Sequence, residues 1–211
     1  MRAVVVSGGT PPSKELLLKY LKDDDFLIGV DKGCNALFEY DLIPNLILGD
    51  FDSAKKEAID YLKNKGARVL TFEPEKDYTD TDLGYINAKE NGADEVLFFG
   101  VTGTRIDHMM GNVGIMLKSL KEGIEVKIID DHNYMFLIDN NHVFKGKYGE
   151  IISFHALSDI VKNINIRGAK YCLSNYDMTL FEPRAICNEF IDDDIEITFD
   201  SGIILVNFPV D

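Results

Sequence analysis

The chain has 211 residues, 45% of them hydrophobic and 27% charged, which is enough to bury a core in one large domain or two small ones. Its 22 basic and 36 acidic residues give a formal net charge of -14, and because no basic stripe offsets this charge, we expect neither nucleic acid nor a membrane as a partner. The three cysteines form no CxxC pair and no run approaches the ~18 apolar residues of a membrane helix, which favours a cytoplasmic protein in a reducing compartment.

The first 130 residues alternate short apolar runs with helical patterns. The runs, in chain order, are AVVVS, FLIGV, NLILG, ARVLTF, EVLFFG and EVKIID, and five helical segments lie between them. Because the runs are apolar on both faces, helices must cover both sides of the sheet, which is typical of parallel strands. We therefore predict an amino-terminal α/β domain with a parallel sheet over residues 1–131.

Capping residues and glycines mark the helix boundaries. Ser13 and Ser53 are predicted N-caps, and Thr79 with Asp82 has the spacing of a capping box. The glycines that we expect to end helices are Gly66, Gly92 and Gly123.

After about residue 131 the pattern changes to short alternating stretches such as EIISFHAL, EITFD and IILVNF, separated by Gly, Asn and Asp turns. We predict an all-β domain at residues 140–211, with DDHNYMFLIDNNH as the join to the first domain. FDSGII, near the end of the chain, is predicted to form a hairpin turn.

Acidic residues follow the predicted strands at the points where these strands end. Asp50 and Asp52 come after the third strand in GDFDS, and an extended backbone places their side chains on the same side. The other strand ends are followed by Asp31, Asp77, Asp80, Asp82 and Asp107. Because ligands of open parallel sheets bind outside the carboxyl ends of the strands, these carboxylates should gather at one edge of the sheet.

This residue chemistry indicates a hard metal ion. Oxygen ligands with few competing imidazoles or thiolates select Mg²⁺ or Ca²⁺ over zinc, and Mg²⁺ is often shared with substrate phosphates. Since Ser53 can cap the following helix, Asp50 and Asp52 have no structural task, and we interpret them as metal ligands. For Asp31, Asp77 and Asp82, each considered alone, helix capping is the favoured interpretation. Both interpretations stay open for Asp80 and Asp107.

Glycines at the strand ends would let phosphate groups approach backbone N–H groups where helices begin, and Arg105 offers a planar donor for phosphate oxygens. These glycines are Gly8, Gly9, Gly33, Gly100 and Gly103. No stretch matches GxxxxGK[ST] or GxGxxG, so the two commonest nucleotide-binding motifs are not supported. The pattern predicts a nucleotide site of another kind.

Four ordered blocks, GDFDS at 49–53, EKDYTDTD at 75–82, GTRIDHMMGN at 103–112 and LSNYDMTLFEPRAICNEF at 173–190, together resemble the thiamine pyrophosphokinase family over nearly the whole chain. The resemblance implies an amino-terminal α/β domain that binds ATP and Mg²⁺, and a carboxy-terminal β-sandwich that binds thiamine. It also implies a homodimer whose active sites are shared between subunits. The implied reaction converts ATP and thiamine to AMP and thiamine diphosphate.

The resemblance also implies roles for individual residues. The residues implied to be catalytic and to bind the metal are Asp50, Asp52, Asp80 and Asp107, with Asp77 as a neighbouring metal position. Those implied to contact nucleotide or substrate are Asp31, Gly33, Asn35, Arg105, His108, Asn112, Cys187 and Asn188. The chain departs from the family at Lys32, Cys34, Asp82 and Cys187, the last of which stands where the family has a serine near thiamine. It has no tryptophan, so any side chain that stacks on thiamine must be Tyr, Phe or aliphatic.

Two other functions stay open at this point. One is a Mg²⁺-dependent transferase that acts on another alcohol, such as a pterin. The other is a non-catalytic thiamine-binding protein, which the presence of the predicted metal carboxylates disfavours. The sequence also leaves open whether Asp107 accepts the proton of the substrate hydroxyl group.

Overall fold

The computed structural model describes residues 1–73, 77–103, 105–192 and 194–210. Residues 75 and 76 of the second quoted block and Thr104 of the third therefore lie outside the described residues. The chain divides into two compact units, Met1–Asp131 and His132–Asp211. No helix among the described residues is long and apolar enough to cross a lipid bilayer.

The strands of the first unit form a parallel sheet in the order β6-β5-β1-β2-β3-β4. They are β1 (Arg2–Val6), β2 (Phe26–Val30), β3 (Leu46–Gly49), β4 (Arg68–Thr71), β5 (Glu95–Phe99) and β6 (Glu125–Ile129). Four successive residues of β1, from Ala3 to Val6, are fully buried, so both faces of this central strand are covered. The prediction of these strands and of their parallel arrangement is confirmed.

The helices of the first unit are α1 (Lys14–Tyr20), α2 (Gly33–Tyr40), α3 (Lys56–Asn64), α4 (Asp80–Glu90) and α5 (Ile106–Lys121). Ser13 is the N-cap of α1, and Thr79 and Asp82 form the predicted capping box of α4. The predicted terminal glycines each lie one residue after a helix C-cap and have positive φ angles, at Gly66, Gly92 and Gly123.

The prediction that Ser53 is an N-cap is wrong. Helix α3 begins at Lys56, its N-cap is Lys55, and that residue makes no capping bond with its side chain. Ser53 instead donates its hydroxyl hydrogen bond to the carboxylate of Asp31, across 22 residues of sequence. A tertiary contact with a charged acceptor has taken the place of the local capping bond.

The second unit is built from two antiparallel sheets, ordered β12-β9-β14-β7 and β11-β10-β13-β8 among the described residues. The strands are β7 (Asn133–Ile138), β8 (His142–Lys145), β9 (Ile151–Ala156), β10 (Ile160–Arg167), β11 (Leu173–Thr179), β12 (Ala185–Glu189), β13 (Asp194–Thr198) and β14 (Ile204–Pro209). Residues of both sheets share one core, which includes Phe154 and Val206 of the first sheet and Ile164 and Ile195 of the second. The predicted fold class, an α/β domain followed by a β-sandwich, is confirmed.

Two sequence features of this unit have a different structure from the predicted one. The segment interpreted as the join contains β7, which pairs with β14 along its whole length, Asn133 to Ile138. The predicted hairpin at FDSGII is wrong, because β13 and β14 lie in different sheets and the segment connects the two. Gly202 in this connection has a φ of 116°, and a Cβ there would lie 2.8 Å from the carbonyl oxygen of Ile160, so a side chain would not fit.

Candidate active site

A cleft of about 690 Å³ opens at the carboxyl ends of the parallel strands. It is lined by the segments after β1 and β5 at residues 7–11 and 100–103, and by residues after β2, β3 and β4. The chain runs from β1 outward to β4 and then returns to the other side of β1 with β5. The cleft therefore lies at the point where the strand order reverses, which is the usual place for a ligand in such a sheet.

Three carboxylates lie together at this edge. Asp31, Asp50 and Asp52 each offer an oxygen atom within 4.8 Å of the others, and Asp31 and Asp50 also line the cleft. The neighbouring charge of Asp50, with smaller contributions from desolvation and from Asp31, raises the pKa of Asp52 above its usual range. The structure thus holds like charges close together, as in a site that binds a cation. We call these three residues the acidic cluster.

Asp31 is held more tightly than the other two members of the acidic cluster. Its φ of 45° is a left-handed backbone conformation that residues other than glycine rarely adopt. Its backbone N–H donates to Leu48 at 2.8 Å, its carbonyl accepts from Cys34 at 3.0 Å, and its Oδ2 accepts from Ser53 at 2.5 Å. Oδ1 is buried and has no hydrogen-bond partner among the residues that the structure describes. A buried carboxylate oxygen without a donor is what a cation site requires.

The first turn of α4 brings Asp80 to the same cleft. Asp80 is the first residue of α4, and the capping box of Thr79 and Asp82 fixes the start of that helix. The hydroxyl groups of Ser7 and Thr81 lie 2.7 Å apart and connect the end of β1 to this turn. We did not single out either hydroxyl from the sequence, although Ser7 follows β1 directly and Thr81 follows Asp80.

Positive and neutral donors also line the cleft. Lys32 and His108 line it, as does Arg105, which forms an ion pair with Asp107 at 2.5 Å. The hydrogen bond from Arg105 lowers the pKa of Asp107 to about 2. Asp107 is exposed and is not among the residues that line the cleft.

Close packing explains two of the glycines. A Cβ at Gly9 would lie 2.3 Å from the carbonyl oxygen of Thr102, so only glycine lets the segments after β1 and β5 approach. A Cβ at Gly33 would lie 2.1 Å from the carbonyl oxygen of Val6. Gly33, predicted from the resemblance to contact the nucleotide, thus has a packing role where α2 meets β1.

The remaining predicted residues of the first unit either form hydrogen bonds with the backbone or lie outside the cleft lining. The buried amide of Asn112 donates to Val101 at 2.7 Å and so fixes the segment after β5 from within the cleft wall. Asn35 accepts a hydrogen bond from the backbone N–H of Lys55 at 2.8 Å. Asp77 is exposed and is not part of the cleft lining.

The two predicted residues of the second unit lie on β12. Asn188 is fully buried, and its amide both accepts from and donates to the backbone of Tyr171, at 2.9 and 2.8 Å. Cys187 is exposed, has a φ of 53°, and donates its backbone N–H to Ser153 at 3.0 Å. The amide of Asn188 therefore connects β12 to the backbone at Tyr171, and the backbone of Cys187 is held by Ser153.

Comparisons with known proteins identify both units. Residues 17–128 match the family model described as "Thiamin pyrophosphokinase, catalytic domain", and residues 138–204 match "Thiamin pyrophosphokinase, vitamin B1 binding domain". The chain is 32% identical to the thiamine pyrophosphokinase of Bacillus subtilis (strain 168) over 204 residues, which are 96% of this chain and 95% of that protein.

Solved structures agree with these sequence matches. The crystal structure of the Bacillus subtilis thiamine pyrophosphokinase superposes with a TM-score of 0.90 and 29% identity over 100% of both chains. That of the Geobacillus thermodenitrificans thiamin pyrophosphokinase superposes with a TM-score of 0.86 and 28% identity over 100% of this chain and 98% of the other. On these matches, and with the acidic cluster at the cleft, the chain belongs to the thiamine pyrophosphokinase family.

Proposed function

We propose that the chain transfers the pyrophosphoryl group of ATP to the hydroxyl group of thiamine, which gives thiamine diphosphate and AMP. The similar proteins are named for thiamine pyrophosphokinase activity. The observation that carries the proposal is the acidic cluster beside a cleft at the carboxyl ends of the strands. In this proposal residues 1–131 bind ATP and the metal, and residues 140–211 bind thiamine.

The acidic cluster fits a divalent metal ion, and we propose Mg²⁺. Asp31, Asp50 and Asp52 offer hard oxygen ligands, Oδ1 of Asp31 is a buried acceptor without a donor in the described part of the chain, and mutual repulsion raises the pKa of Asp52. These three residues would hold the ion, with Asp80 beside them at the cleft. Bound there, Mg²⁺ would neutralise charge on the ATP phosphates as the bond to AMP breaks.

The nucleotide site is proposed on the segments after β1 and β5. Gly8 and Gly103 line the cleft, where backbone N–H groups would donate to phosphate oxygens. Lys32 and Arg105 supply positive charge. Arg105 holds Asp107 through Nε and one terminal nitrogen, which leaves its other terminal nitrogen to donate to phosphate.

The thiamine site is proposed on β12 of the second unit. Cys187 is the exposed side chain at the position implied by the family resemblance, and the hydroxyl of Ser153 holds its backbone N–H. We further propose that the protein acts as a homodimer with active sites shared between subunits, as the resemblance implies.

Positioning accounts for most of the proposed catalysis. Phosphoryl-type transfers have loose transition states, so alignment of the hydroxyl group with the β-phosphorus matters more than its deprotonation. A carboxylate with a pKa of about 2 is a weak base near neutral pH, so we assign Asp107 to holding Arg105 and not to accepting the proton.

Product analysis tests this function. The protein is incubated with ATP, thiamine and MgCl₂, and the nucleotide products are separated. AMP and thiamine diphosphate should appear in equal amounts. Release of ADP, or the absence of AMP formation by folded protein, would contradict the proposal. A parallel incubation with a hydroxymethyl pterin in place of thiamine should give no AMP.

A further inference from the structure

Ser53 has no task in the helix that follows it. Helix α3 begins at Lys56 and uses Lys55 as its N-cap, so the serine hydroxyl is not needed to satisfy a backbone N–H group. Ser53 is exposed, and its hydroxyl donates to Oδ2 of Asp31 at 2.5 Å. Ser53 is of a type that often caps helices, but its hydroxyl contacts the acidic cluster instead.

The backbone of Asp31 is already fixed, so this contact acts on its side chain. The N–H and the carbonyl of Asp31 bond to Leu48 and Cys34, and the residue is held at a φ of 45°. Glycine at position 49 allows this backbone to pack closely, because a Cβ there would lie 3.2 Å from the Cα of Asp31. Asp31 can therefore move mainly by rotation of its carboxylate. The hydroxyl of Ser53 donates a hydrogen bond to that carboxylate.

The carboxylate of Asp31 has a physical reason to rotate away. The acidic cluster places it near Asp50 and Asp52, and like charges at this range repel one another. A hydrogen bond from a neutral hydroxyl to a carboxylate is short and strong, and it leaves the charge of the carboxylate in place. Ser53 can thus oppose the repulsion and leave Oδ1 as the oxygen without a partner.

We propose that Ser53 is a positioning residue, whose hydroxyl holds the Asp31 carboxylate in the orientation that completes a divalent-cation site with Asp50 and Asp52. This inference rests on the proposed function, because it assigns a metal to the acidic cluster. Groups that orient metal ligands through a hydrogen bond typically contribute about 10- to 100-fold to metal affinity.

A matched pair of variants separates the hydroxyl from the shape of the side chain. Threonine and valine have nearly the same shape, but only threonine keeps the hydroxyl group. Binding of Mn²⁺ is measured by titration calorimetry or by electron paramagnetic resonance, with full-length protein and without nucleotide. We expect Ser53→Thr to bind Mn²⁺ like the wild type and Ser53→Val to bind it about 10- to 100-fold more weakly.

The variant Ser13→Ala is the control for loss of a serine–aspartate bond elsewhere. Ser13 donates a similar hydroxyl bond to Asp131 and caps α1, away from the acidic cluster. We expect this variant to keep wild-type Mn²⁺ affinity although it loses some stability. Since Ser53 is exposed, Ser53→Val should fold, and circular dichroism checks that it does.

The proposal and the proposed function can fail separately. Equal Mn²⁺ affinity in Ser53→Val and Ser53→Thr would overturn the role of Ser53, even if the wild type forms AMP from ATP and thiamine. Loss of affinity in Ser13→Ala of the same size would also overturn it, because the effect would then be global. A wild-type protein that binds Mn²⁺ through the cluster but forms no AMP would contradict the proposed function alone.

Discussion

The guanidinium of Arg105 contacts both carboxylate oxygens of Asp107, with nitrogen–oxygen distances of 3.1 and 2.5 Å. This contact lowers the pKa of Asp107 to about 2, so the group is ionised near neutral pH. Its charge state should therefore not control the rate near neutral pH.

We expect Asp107→Asn to lower kcat by less than about tenfold, whereas loss of a general base typically costs about 10²- to 10⁴-fold. The acid side of the pH–rate profile should keep its midpoint in the variant. Steady-state kinetics of AMP formation between pH 5 and 9 measure both quantities. A loss of kcat above 100-fold, with the KM for ATP unchanged, would show that Asp107 takes part in proton transfer.

The hydroxyl pair of Ser7 and Thr81 should stabilise the first turn of α4. Ser7 is 5% exposed, and a buried hydroxyl that loses its partner costs free energy. We expect Thr81→Val to lower the free energy of unfolding by about 1 kcal/mol and to lower kcat, because Asp80 is the neighbouring residue. Thr81→Ser keeps the hydroxyl group and should recover most of both. Denaturant unfolding and kinetics on the two variants test this, and equal behaviour of valine and serine would be inconsistent with it.

The buried ion pair of Arg2 and Asp25 should make stability depend on pH. Burial raises the pKa of Asp25, but hydrogen bonds from Arg2 and from the backbone of Lys22 outweigh it, so the pKa lies below its usual value. Because the folded-state pKa is depressed, the stabilisation is present above the unfolded pKa of about 3.9 and is lost as the pH falls through the folded pKa.

The variant Asp25→Asn tests this pair. It leaves the Arg2 charge without its partner at a site where the Asp25 side chain is 1% exposed, so we expect a loss of about 3–5 kcal/mol in the free energy of unfolding near pH 7. The difference from the wild type should shrink below about pH 4, because Asp25 then takes up a proton in the unfolded state while the folded state still holds it ionised. Urea unfolding at pH 7 and pH 3 gives both values, and a difference that grows on acidification would contradict the assignment.

The cysteines should differ in reactivity. Burial, with a smaller contribution from the charge of Asp31, raises the pKa of the Cys34 thiol to about 12, whereas Cys172 and Cys187 are exposed. Since the thiolate is the nucleophile, iodoacetamide at pH 8 should label Cys172 and Cys187 in native protein and Cys34 only after unfolding. Mass spectrometry of peptides identifies the labelled sites. Rapid labelling of Cys34 in folded protein would contradict its burial in the first turn of α2.

The parallel sheet could be predicted from the sequence because its strands are buried on both faces. Runs such as FLIGV and EVLFFG are continuously apolar, and the terminal glycines and the capping box delimit the helices between them. Because ligands bind at the carboxyl ends of such strands, the sequence also predicts that Asp31, Asp50 and Asp80 lie at one cleft, as they do.

Other features depend on contacts that the local sequence does not contain. Ser53 has the composition of a helix cap, but its acceptor lies 22 residues away, so only the folded chain reveals the contact. The partner of β7 is β14, about 70 residues later, which is why NYMFLI reads as a join. FDSGII has hairpin residues, yet the strand after it pairs with β7 and β9 of the other sheet, which lie far from it in the sequence.

We propose that the acidic cluster supports pyrophosphoryl transfer, and turnover by the variant Asp50→Asn tests this role. Asparagine keeps the size of the side chain and removes the charge that contributes most to the raised pKa of Asp52. AMP formation from ATP and thiamine is measured at saturating MgCl₂ for the wild type and the variant, with circular dichroism to confirm that both are folded. We expect the wild type to release AMP and the variant to lose more than about 100-fold in turnover. The reason is that electrostatic stabilisation of the transferring group is the main catalytic contribution. Wild-type rates in folded Asp50→Asn would contradict it.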